Sequence, residues 1–566
     1  MEGVQKNHFH SSFRAMSAFS IGTENLLTLL LCFILLVTSC SSMKDFKVDE
    51  DRVISPKDSK KVYDAEKVAY LVGDNNKHTQ IKTNVCLSLS GGGLRASGTS
   101  LGFLQALNKR SVPPNSFRAI SAVSGSTWTV SWLIIDSLRT GSSVEQTLEN
   151  DASIHELASR VNLIADSVTG GVIQSIVYFP FYLGLRSGPV SPGMIYLSLG
   201  LSTPFLSKAD TWRYVPSDLK LAELPEALNK VEMPPIVFGA TAAILRDQPH
   251  RRSNQYVRDF RYSQSPYRRW RPLDQTFQSP REISLPDPTS EGFFEFGSEA
   301  LGSPYHGYVR YGKASDDDNN VQWRSTGMTL ASASVISSLG LNSSYRGGQT
   351  GVLDDAVSNF LGVATRYRID DFEMNFPYSK YWDESDSKIT ASHENPDLVS
   401  DDVDIELSDG GFADNLAITP MLWRKCERIL VLDASEDPNG VYDELMAFRN
   451  RLQRQQEFTA TTKWVEPQDG KLGRLFISYA GNEGRTPSEV MIVKIRTPKC
   501  VDPIVLTGLE QRDFCQFLRT SNAREFPFDP IRELSFSQKR YLAYVDLGRY
   551  LFENSSEEIL EFVGKS

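Results

Sequence analysis

The sequence predicts an α/β fold, in which a mostly parallel central sheet has helices on both faces and large cap-like insertions. The first observation is an apolar run at residues 85–89 that leads through three glycines into a helical pattern at 96–109. The second is the same order further along the chain, with a strand pattern at 119–123 and a helical pattern at 127–138. Strands that alternate with helices in this way are typical of a parallel sheet.

The rest of the sheet is predicted from segments that lie far apart in the chain. Four of them are predicted to be strands: 235–242, 405–408, 429–433 and 491–495. The intervening stretches, at about 140–230 and 246–400, are rich in Pro, Gly, Ser, Asp and aromatic residues. We interpret these stretches as insertions that cap or wall a site on one large domain, residues 81–566.

Composition and charge limit the class of protein. With 566 residues, 40% of them hydrophobic and 23% charged, the chain has the composition of a large globular protein. The formal net charge of -10 argues against general nucleic-acid binding. One basic segment, 246–271, has eight arginines among aromatic residues. It suits an anionic membrane surface or phosphate head groups, or it is a solvated face of an insertion.

The N-terminus has the features of a secretory signal. Residues 26–37 form an apolar run of 12, which is short for crossing a bilayer and suitable for the core of a signal peptide. The sequence Val-Thr-Ser-Cys at 37–40 resembles the bacterial lipobox, in which small residues precede a cysteine that becomes lipid-modified. We predict a lipoprotein signal peptide at 1–39, a lipidated Cys40, and a tether with a helical lead-in at 40–80. A short anchor or a chance match is the alternative.

The lipidated cysteine predicts a location in the bacterial cell envelope. Several acyl chains on one cysteine hold a protein to a membrane firmly, whereas one chain alone binds weakly. Ser41 and Ser42 follow the cysteine and no aspartate does, which is compatible with the outer membrane. The predicted partner of the N-terminus is therefore the membrane itself.

The other cysteines of the mature chain show no metal-binding spacing. Cys86 lies in a predicted core strand, where we expect an inert small hydrophobic residue. Cys500 and Cys515 are close enough in sequence to pair in an oxidising compartment, and the sequence leaves that pairing open.

Backbone N–H groups and a serine hydroxyl are the chemical features of the two predicted turns. The first turn has the sequence Gly-Gly-Gly-Leu-Arg at 91–95, where N–H groups are exposed at the positive end of a helix. The second has Ser124, also between a strand and a helix. Together they indicate an oxyanion hole and its nucleophile. A phosphate cradle is the alternative, but neither nucleotide-binding glycine spacing is present.

A serine hydroxyl needs a base, and the sequence restricts which residue that can be. All seven histidines precede Asp409, the strongest candidate acid, so a triad in the common serine, acid, histidine order is excluded for Asp409. A carboxylate can act as the base directly if a tight turn holds it beside the hydroxyl. Asp409 follows a predicted strand and precedes Gly410 and Gly411, which allow such a turn.

The glycine loop with Arg95, the serine Ser124 and the Asp-Gly-Gly at 409–411 follow predicted strands in that order. Together they resemble the patatin-like phospholipases. The similarity is greatest to the cytosolic phospholipase branch, because Ser-Gly-Ser-Thr-Trp at 124–128 resembles the nucleophile motif of that branch. The resemblance covers about 82–435 and is consistent with the predicted α/β fold.

Further stretches are similar to the same branch, and two positions depart from it. The similar stretches are 294–296, 302–305 and 331–333. Ala122 and Ser126 stand where the family commonly has glycine. Both side chains are small, so we expect them to fit beside the serine.

The resemblance implies a lipid acyl hydrolase of the phospholipase or lysophospholipase type. Ser124 would be the nucleophile, and Asp409 would activate it and later the hydrolytic water, through an acyl-enzyme intermediate. The three glycines of the loop, Gly91, Gly92 and Gly93, would donate N–H groups to the oxyanion. The substrate would be a phospholipid or related lipid, and the resemblance implies no cofactor, no metal and no nucleic acid.

The role of Arg95 and the outcome of the reaction stay open. Arg95 would either hold the glycine loop or bind the substrate phosphate. The same dyad could transfer the acyl group to an alcohol, as in an acyltransferase. A non-catalytic lipid-binding or scaffolding lipoprotein could also keep the fold. The acyl position, the head group and the oligomeric state are not predicted.

Overall fold

The computed structural model describes the chain in separate ranges. They are 53–54, 61–63, 84–161, 219–245, 293–304, 307–311, 330–338, 367–368, 404–454, 460–468, 472–480, 486–498, 500, 512–520, 525–529 and 536–564. All of them belong to one compact unit, Phe46–Ser175 with Pro189–Ser566. The predicted signal peptide, Cys40, the basic segment 246–271 and most of the tether and of both insertions lie outside the described residues.

The described residues contain thirteen strands, which form one sheet. They are β1 (Val53–Ile54), β2 (Val85–Leu89), β3 (Ile120–Val123), β4 (Ile236–Leu245), β5 (Phe293–Phe296), β6 (Ala300–Ser303), β7 (Gly307–Arg310), β8 (Tyr367–Arg368), β9 (Asp404–Asp409), β10 (Arg428–Asp433), β11 (Ala460–Val465), β12 (Gly473–Tyr479) and β13 (Ser488–Lys494). The order is β1-β7-β6-β5-β4-β3-β2-β10-β13-β12-β11, and β9 pairs with β4 and with β8.

The centre of the sheet is parallel and its two ends are antiparallel. Strands β4, β3, β2, β10 and β13 pair in parallel in that order. β5 and β9 join β4 in the antiparallel sense, and β12 joins β13 in the same way. The predicted α/β fold is confirmed, with its parallel pairing concentrated in the five central strands. The residues that follow β2, β3 and β10 therefore lie at one edge of the sheet, where α/β proteins bind ligands.

Twelve α-helices are present in the described residues. They are α1 (Gly93–Lys109), α2 (Gly125–Thr140), α3 (Val144–Glu149), α4 (Asp151–Val161), α5 (Leu224–Lys230), α6 (Leu330–Ser338), α7 (Gly411–Asp414), α8 (Thr419–Trp423), α9 (Asp443–Arg454), α10 (Asp513–Leu518), α11 (Gln538–Glu553) and α12 (Ser556–Val563). The helices predicted at 96–109 and 127–138 both begin earlier, at a glycine of the preceding turn. None of the described helices is both long and apolar enough to cross a membrane.

Helices cover both faces of the sheet, as the sequence predicts. Alternate residues of a strand point to opposite faces. Leu87 and Leu89 of β2 lie in a buried apolar cluster with residues of α1, α2 and α11. Cys86, the residue before Leu87, points to the other face and lies in a second cluster with residues of α8 and α9. The central strands are therefore buried on both sides, which explains why β2 and β10 are mostly apolar.

Helix α11, near the end of the chain, packs closely against α1 through glycines. A methyl group on Gly102 of α1 would lie 1.7 Å from the carbonyl oxygen of Val545 on α11. In the opposite direction, a methyl group on Gly548 would lie 2.1 Å from the carbonyl oxygen of Thr99. The two backbones approach each other because neither glycine has a side chain. This packing brings the C-terminal segment next to the helix that follows the glycine loop.

The described residues contain two disulfides, and one of them corrects an expectation. Cys500 pairs with Cys515, so the pairing that the sequence leaves open is present. Cys86 is not a free hydrophobic thiol, because it is bonded to Cys426 across 340 positions of sequence. No local spacing indicates this pair, because it is the parallel pairing of β2 with β10 that brings the two cysteines together.

Candidate active site

Ser124 lies at a sharp turn between β3 and α2. Its φ of 54° and ψ of -130° place a non-glycine residue in a backbone region that is sparsely occupied and costly. Such strain persists only where the surrounding structure holds it, and it is concentrated at functional sites. The turn directs the serine away from the strand at the carboxyl edge of the sheet, as expected of a nucleophile elbow.

Asp409 is the last residue of β9, and the antiparallel pairing of β9 with β4 brings it to Ser124. Ser124 Oγ donates a hydrogen bond to Asp409 Oδ2 at 3.0 Å. The other carboxylate oxygen, Oδ1, accepts from Gly411 N at 2.8 Å. Thr241 Oγ1 donates to the carbonyl oxygen of Asp409 at 2.7 Å. The carboxylate is thus fixed within proton-transfer distance of the hydroxyl, and the two predicted residues meet although they are 285 positions apart.

Ser337 of α6 joins the serine turn to the turn that follows Asp409, and sequence reasoning did not single it out. Ser337 Oγ accepts from Ser124 N at 3.1 Å and donates to the carbonyl oxygen of Gly239 at 2.6 Å. Its own carbonyl oxygen accepts from Gly410 N at 3.1 Å. The Ala-Ser-Ala similarity at 331–333 was the available signal, because it predicts the helix that carries this residue.

The glycine loop stands beside the serine at the start of α1. Gly92 and Gly93 have φ values of 145° and 60°, which side chains disfavour. Gly91 N donates to the carbonyl oxygen of Asn415 at 2.9 Å, so this N–H is already committed and is not available to an oxyanion. Gly92 N and Gly93 N make no hydrogen bond to other described residues. These two groups, at the positive end of α1, remain the candidates for the predicted oxyanion hole.

The glycine loop and the serine turn touch through their backbones. A methyl group on Gly125, the residue after the serine, would lie 1.9 Å from the carbonyl oxygen of Gly93. A real Cβ atom does not come so close to another atom, so only glycine fits at this position. The nucleophile and the candidate oxyanion donors are therefore held at a short and nearly fixed separation.

Arg95 is buried under the glycine loop. Its Nε donates to the carbonyl oxygen of Ala434 at 2.8 Å, and its Nη1 donates to the carbonyl oxygen of Asp529. Its Nη2 is buried without a hydrogen-bond partner among the described residues. Of the two predicted roles, this placement favours holding the loop over binding a substrate phosphate, because the guanidinium has almost no contact with solvent.

Comparison with known proteins gives a relation of fold. No protein-family model matches the chain, and no curated protein matches it. The solved structure of human GIVD cytosolic phospholipase A2 is similar, with a TM-score of 0.51 and 16% sequence identity, over 92% of this chain and 65% of that chain. The fold resembles that of this phospholipase. The same human protein in complex with methyl gamma-linolenyl fluorophosphonate matches with a TM-score of 0.47 and 14% identity, over 92% of this chain and 64% of that chain.

Asn415, like Ser337, lies at the site and was not predicted from the sequence. Its carbonyl oxygen holds Gly91, and its side chain lies between the glycine loop and the turn after Asp409. A methyl group on Gly91 would be 2.2 Å from Asn415 Oδ1, and one on Gly411 would be 2.8 Å from the same atom. The packing of this amide therefore sets the distance between the loop and the base.

A buried ion pair fixes the segment that follows β10, on which Arg95 rests. Lys494 Nζ lies 2.7 Å from Asp433 Oδ2 and 3.2 Å from Asp437 Oδ2. Burial alone would raise the pKa of Asp433, but the Lys494 ammonium outweighs burial and the pKa is lowered. Burial would lower the pKa of Lys494, and the two aspartates raise it above its ordinary value. Asp433 and Lys494 are therefore both charged at neutral pH, and their ion pair holds Ala434 next to the loop.

Glu444 of α9 lies near the same ion pair, and its pKa is shifted in the opposite direction to that of Asp433. Burial raises the pKa of Glu444 to about 7, and the negative charges of Asp433 and Asp414 add to this effect. Arg451 and Lys494 oppose it without reversing it. Glu444 is therefore an acid that changes charge near neutral pH, beside the ion pair that supports the loop.

The described residues contain one histidine, His155, and it lies away from the dyad. His155, on α4, is exposed and has no hydrogen bond to the dyad. In these ranges no group of three or more His, Cys, Asp or Glu side chains could hold a metal ion.

Proposed function

We propose that this protein is a serine acyl hydrolase that cleaves carboxylic ester bonds of phospholipids or related lipids. The observation that carries the proposal is the 3.0 Å hydrogen bond from Ser124 Oγ to Asp409 Oδ2, at a turn with positive φ. The likeness of fold to a cytosolic phospholipase A2 supports it. Since the chain spans 65% of that protein, the activity itself is part of the proposal.

In the first half of the reaction, Ser124 Oγ attacks the carbonyl carbon of the acyl group. Its proton moves to Asp409 Oδ2, and the carbonyl oxygen becomes a tetrahedral oxyanion. When the intermediate collapses, the ester C–O bond breaks and Asp409 returns the proton to the leaving alcohol oxygen. The products are an alcohol, such as a lysophospholipid, and an acyl group bound to Ser124.

In the second half, water replaces the alcohol. Asp409 accepts a proton from the water as its oxygen attacks the acyl carbon, and a second tetrahedral oxyanion forms. Collapse of this intermediate breaks the bond to Ser124 Oγ, which regains its proton from Asp409. The fatty acid leaves, and the dyad is restored with all protons accounted for.

The oxyanion forms twice, and its stabilisation falls to Gly92 N and Gly93 N. Both are placed at the N-terminus of α1, where the helix dipole favours negative charge. Loss of one such donor typically reduces turnover 100- to 1000-fold, or about 3 to 4 kcal/mol. The close backbone packing of Gly125 against the Gly93 carbonyl keeps these donors at a nearly fixed distance from the nucleophile.

The protein is proposed to work at a membrane of the bacterial cell envelope, anchored through lipidated Cys40. Disulfides persist in oxidising compartments and are rare in the cytosol. The Cys86–Cys426 and Cys500–Cys515 bonds support export on that ground. A lipid anchor would keep the site near lipid substrates.

The test uses the purified protein with three forms of the site. Wild type, Ser124→Ala and Asp409→Asn are incubated with phospholipid vesicles, and released fatty acid is measured together with labelling by a fluorophosphonate. We expect release and labelling only from wild type, with the label on Ser124. Equal release from all three would refute the proposal. Addition of an alcohol acceptor separates hydrolysis from acyl transfer, because transfer forms a new ester instead of free acid.

A further inference from the structure

A carboxylate from the C-terminal segment is buried directly behind the glycine loop. Asp529 is fully buried, and its carboxylate receives hydrogen bonds from two residues of α11. Arg540 Nε donates to Asp529 Oδ2 at 2.9 Å, and Arg540 Nη2 contacts Oδ1. Tyr544 OH donates to Oδ2. The carboxylate is thus paired with a cation and held in one orientation.

The hydroxyl and guanidinium partners of Asp529 are themselves fixed. Burial raises the pKa of Tyr544 well above its ordinary value, and the Asp529 charge raises it further, so the phenol stays neutral and donates. The Arg540 guanidinium carbon lies 4.6 Å from the centre of the Phe536 ring, and Phe536 in turn stacks on Tyr544. Neither partner is free to move away from the carboxylate.

The main-chain carbonyl of the same residue reaches the glycine loop through Arg95. Arg95 Nη1 donates to the carbonyl oxygen of Asp529, and Arg95 Nε donates to that of Ala434. Ala434 N donates to Ser90 Oγ at 2.7 Å, directly before the loop. Anchoring the Asp529 side chain therefore fixes the position of the Asp529 carbonyl group. That carbonyl orients the Arg95 guanidinium, which in turn supports the glycine loop.

We propose that Asp529 is a positioning residue for the oxyanion loop, acting through Arg95. The inference rests on the proposed hydrolase function. Both acceptors of Arg95 are neutral carbonyl oxygens, while the negative charge of Asp529 is taken up by Arg540 and Tyr544. The positive charge of Arg95 is consequently not cancelled through these bonds, and it stays next to the N–H groups that would receive the oxyanion.

The expected effect is on turnover and not on substrate binding. Asp529→Asn keeps the size of the side chain and removes its charge, which weakens the hold of Arg540 and Tyr544. We expect kcat on a soluble p-nitrophenyl acyl ester to fall at least tenfold, with KM within twofold of wild type. Asp546→Asn is the matched control, because Asp546 is a buried carboxylate of α11 that pairs with Arg512. Its kcat should stay within twofold.

A double-mutant cycle separates positioning from general destabilisation. If Asp529 acts through Arg95, Asp529→Asn should reduce kcat by less than twofold in an Arg95→Lys background. The same tenfold loss in both backgrounds would overturn the proposal. So would a folded Asp529→Asn protein with the kcat of the control.

A milder pair of variants decides the matter if Asp529→Asn does not fold. Tyr544→Phe removes one hydrogen bond to Asp529, and Tyr541→Phe removes a buried hydroxyl of the same helix that bonds Ser97 instead. We expect a lower kcat only for Tyr544→Phe, and equal kcat values would overturn the proposal. Failure of the hydrolase function is a different result, since wild type would then show neither turnover nor fluorophosphonate labelling of Ser124.

Discussion

Replacing Glu444 by glutamine should remove a pH dependence from the stability of this protein. The pKa of Glu444 is raised from its ordinary 4.5 to about 7 in the folded state. Between these two values the unfolded chain has an ionised glutamate while the folded chain keeps the proton. The folded state binds more protons in this window, so its stability falls as pH rises from 4.5 to 7 and does not recover above 7.

The size of the effect follows from the same two pKa values. At 1.36 kcal/mol per pH unit, the full loss is about 3 kcal/mol above pH 7. The side chain of Glu444 is half-buried, so water screens part of the charge, and we expect about 1 to 3 kcal/mol. Glutamine has nearly the same shape and no charge, and therefore escapes the loss.

The assay is urea unfolding of wild type and Glu444→Gln at several pH values between about 5 and 8. The stability of the variant relative to wild type should grow as pH rises through this range. Glu436→Gln, which removes an exposed carboxylate of the same region, controls for net charge. A Glu444→Gln difference that is constant with pH, or that shrinks as pH rises, would refute the reasoning.

Three further predictions concern the loop, a disulfide and the anchor. Gly125→Ala places a methyl group 1.9 Å from the Gly93 carbonyl oxygen, so kcat on a soluble ester should fall about 100-fold, and wild-type activity would contradict the contact. Replacing both Cys86 and Cys426 by serine removes the bond that closes a loop of 340 positions, and should lower the free energy of unfolding by up to about 5 kcal/mol. Urea unfolding measures this change, and an unchanged unfolding midpoint would argue against a stabilising bond. Cys40→Ala should move the protein from the membrane to the soluble fraction, and membrane retention would exclude lipidation as the anchor.

Local patterns were sufficient to predict the elements that carry the dyad. The strands before the glycine loop, Ser124 and Asp409 are short segments that end at a turn, and each is present within a few residues of its predicted bounds. The parallel order then brings the first two turns to one edge of the sheet. The antiparallel approach of β9 to β4 was not predicted, yet it is what places Asp409 beside the serine.

Contacts between distant segments were beyond sequence reasoning for a physical reason. Cys86 is both buried and disulfide-bonded. A buried cysteine in an apolar strand has the same local sequence whether its thiol is free or bonded, so the sequence predicts only a core residue. Ser337 lies on a small-residue helix, where a serine at any of several positions has the same local appearance. The commitment of Gly91 N to Asn415 depends on the path of the chain after α7, which no local pattern specifies.

The glycine loop is supported mainly by main-chain carbonyl groups, and this has a consequence for its sequence. Gly91 and Arg95 together donate to the carbonyl oxygens of Asn415, Ala434 and Asp529. Every residue type has a carbonyl oxygen, so the acceptors leave no signature at their own positions. The sequence must instead determine the position of each carbonyl group, and it does so through side chains that anchor the backbone on the side away from the loop. Arginine suits the donor side because its planar group donates to two carbonyl oxygens at once. The loop arginine is therefore recognisable in the sequence, whereas the residues that position it emerge only from the fold.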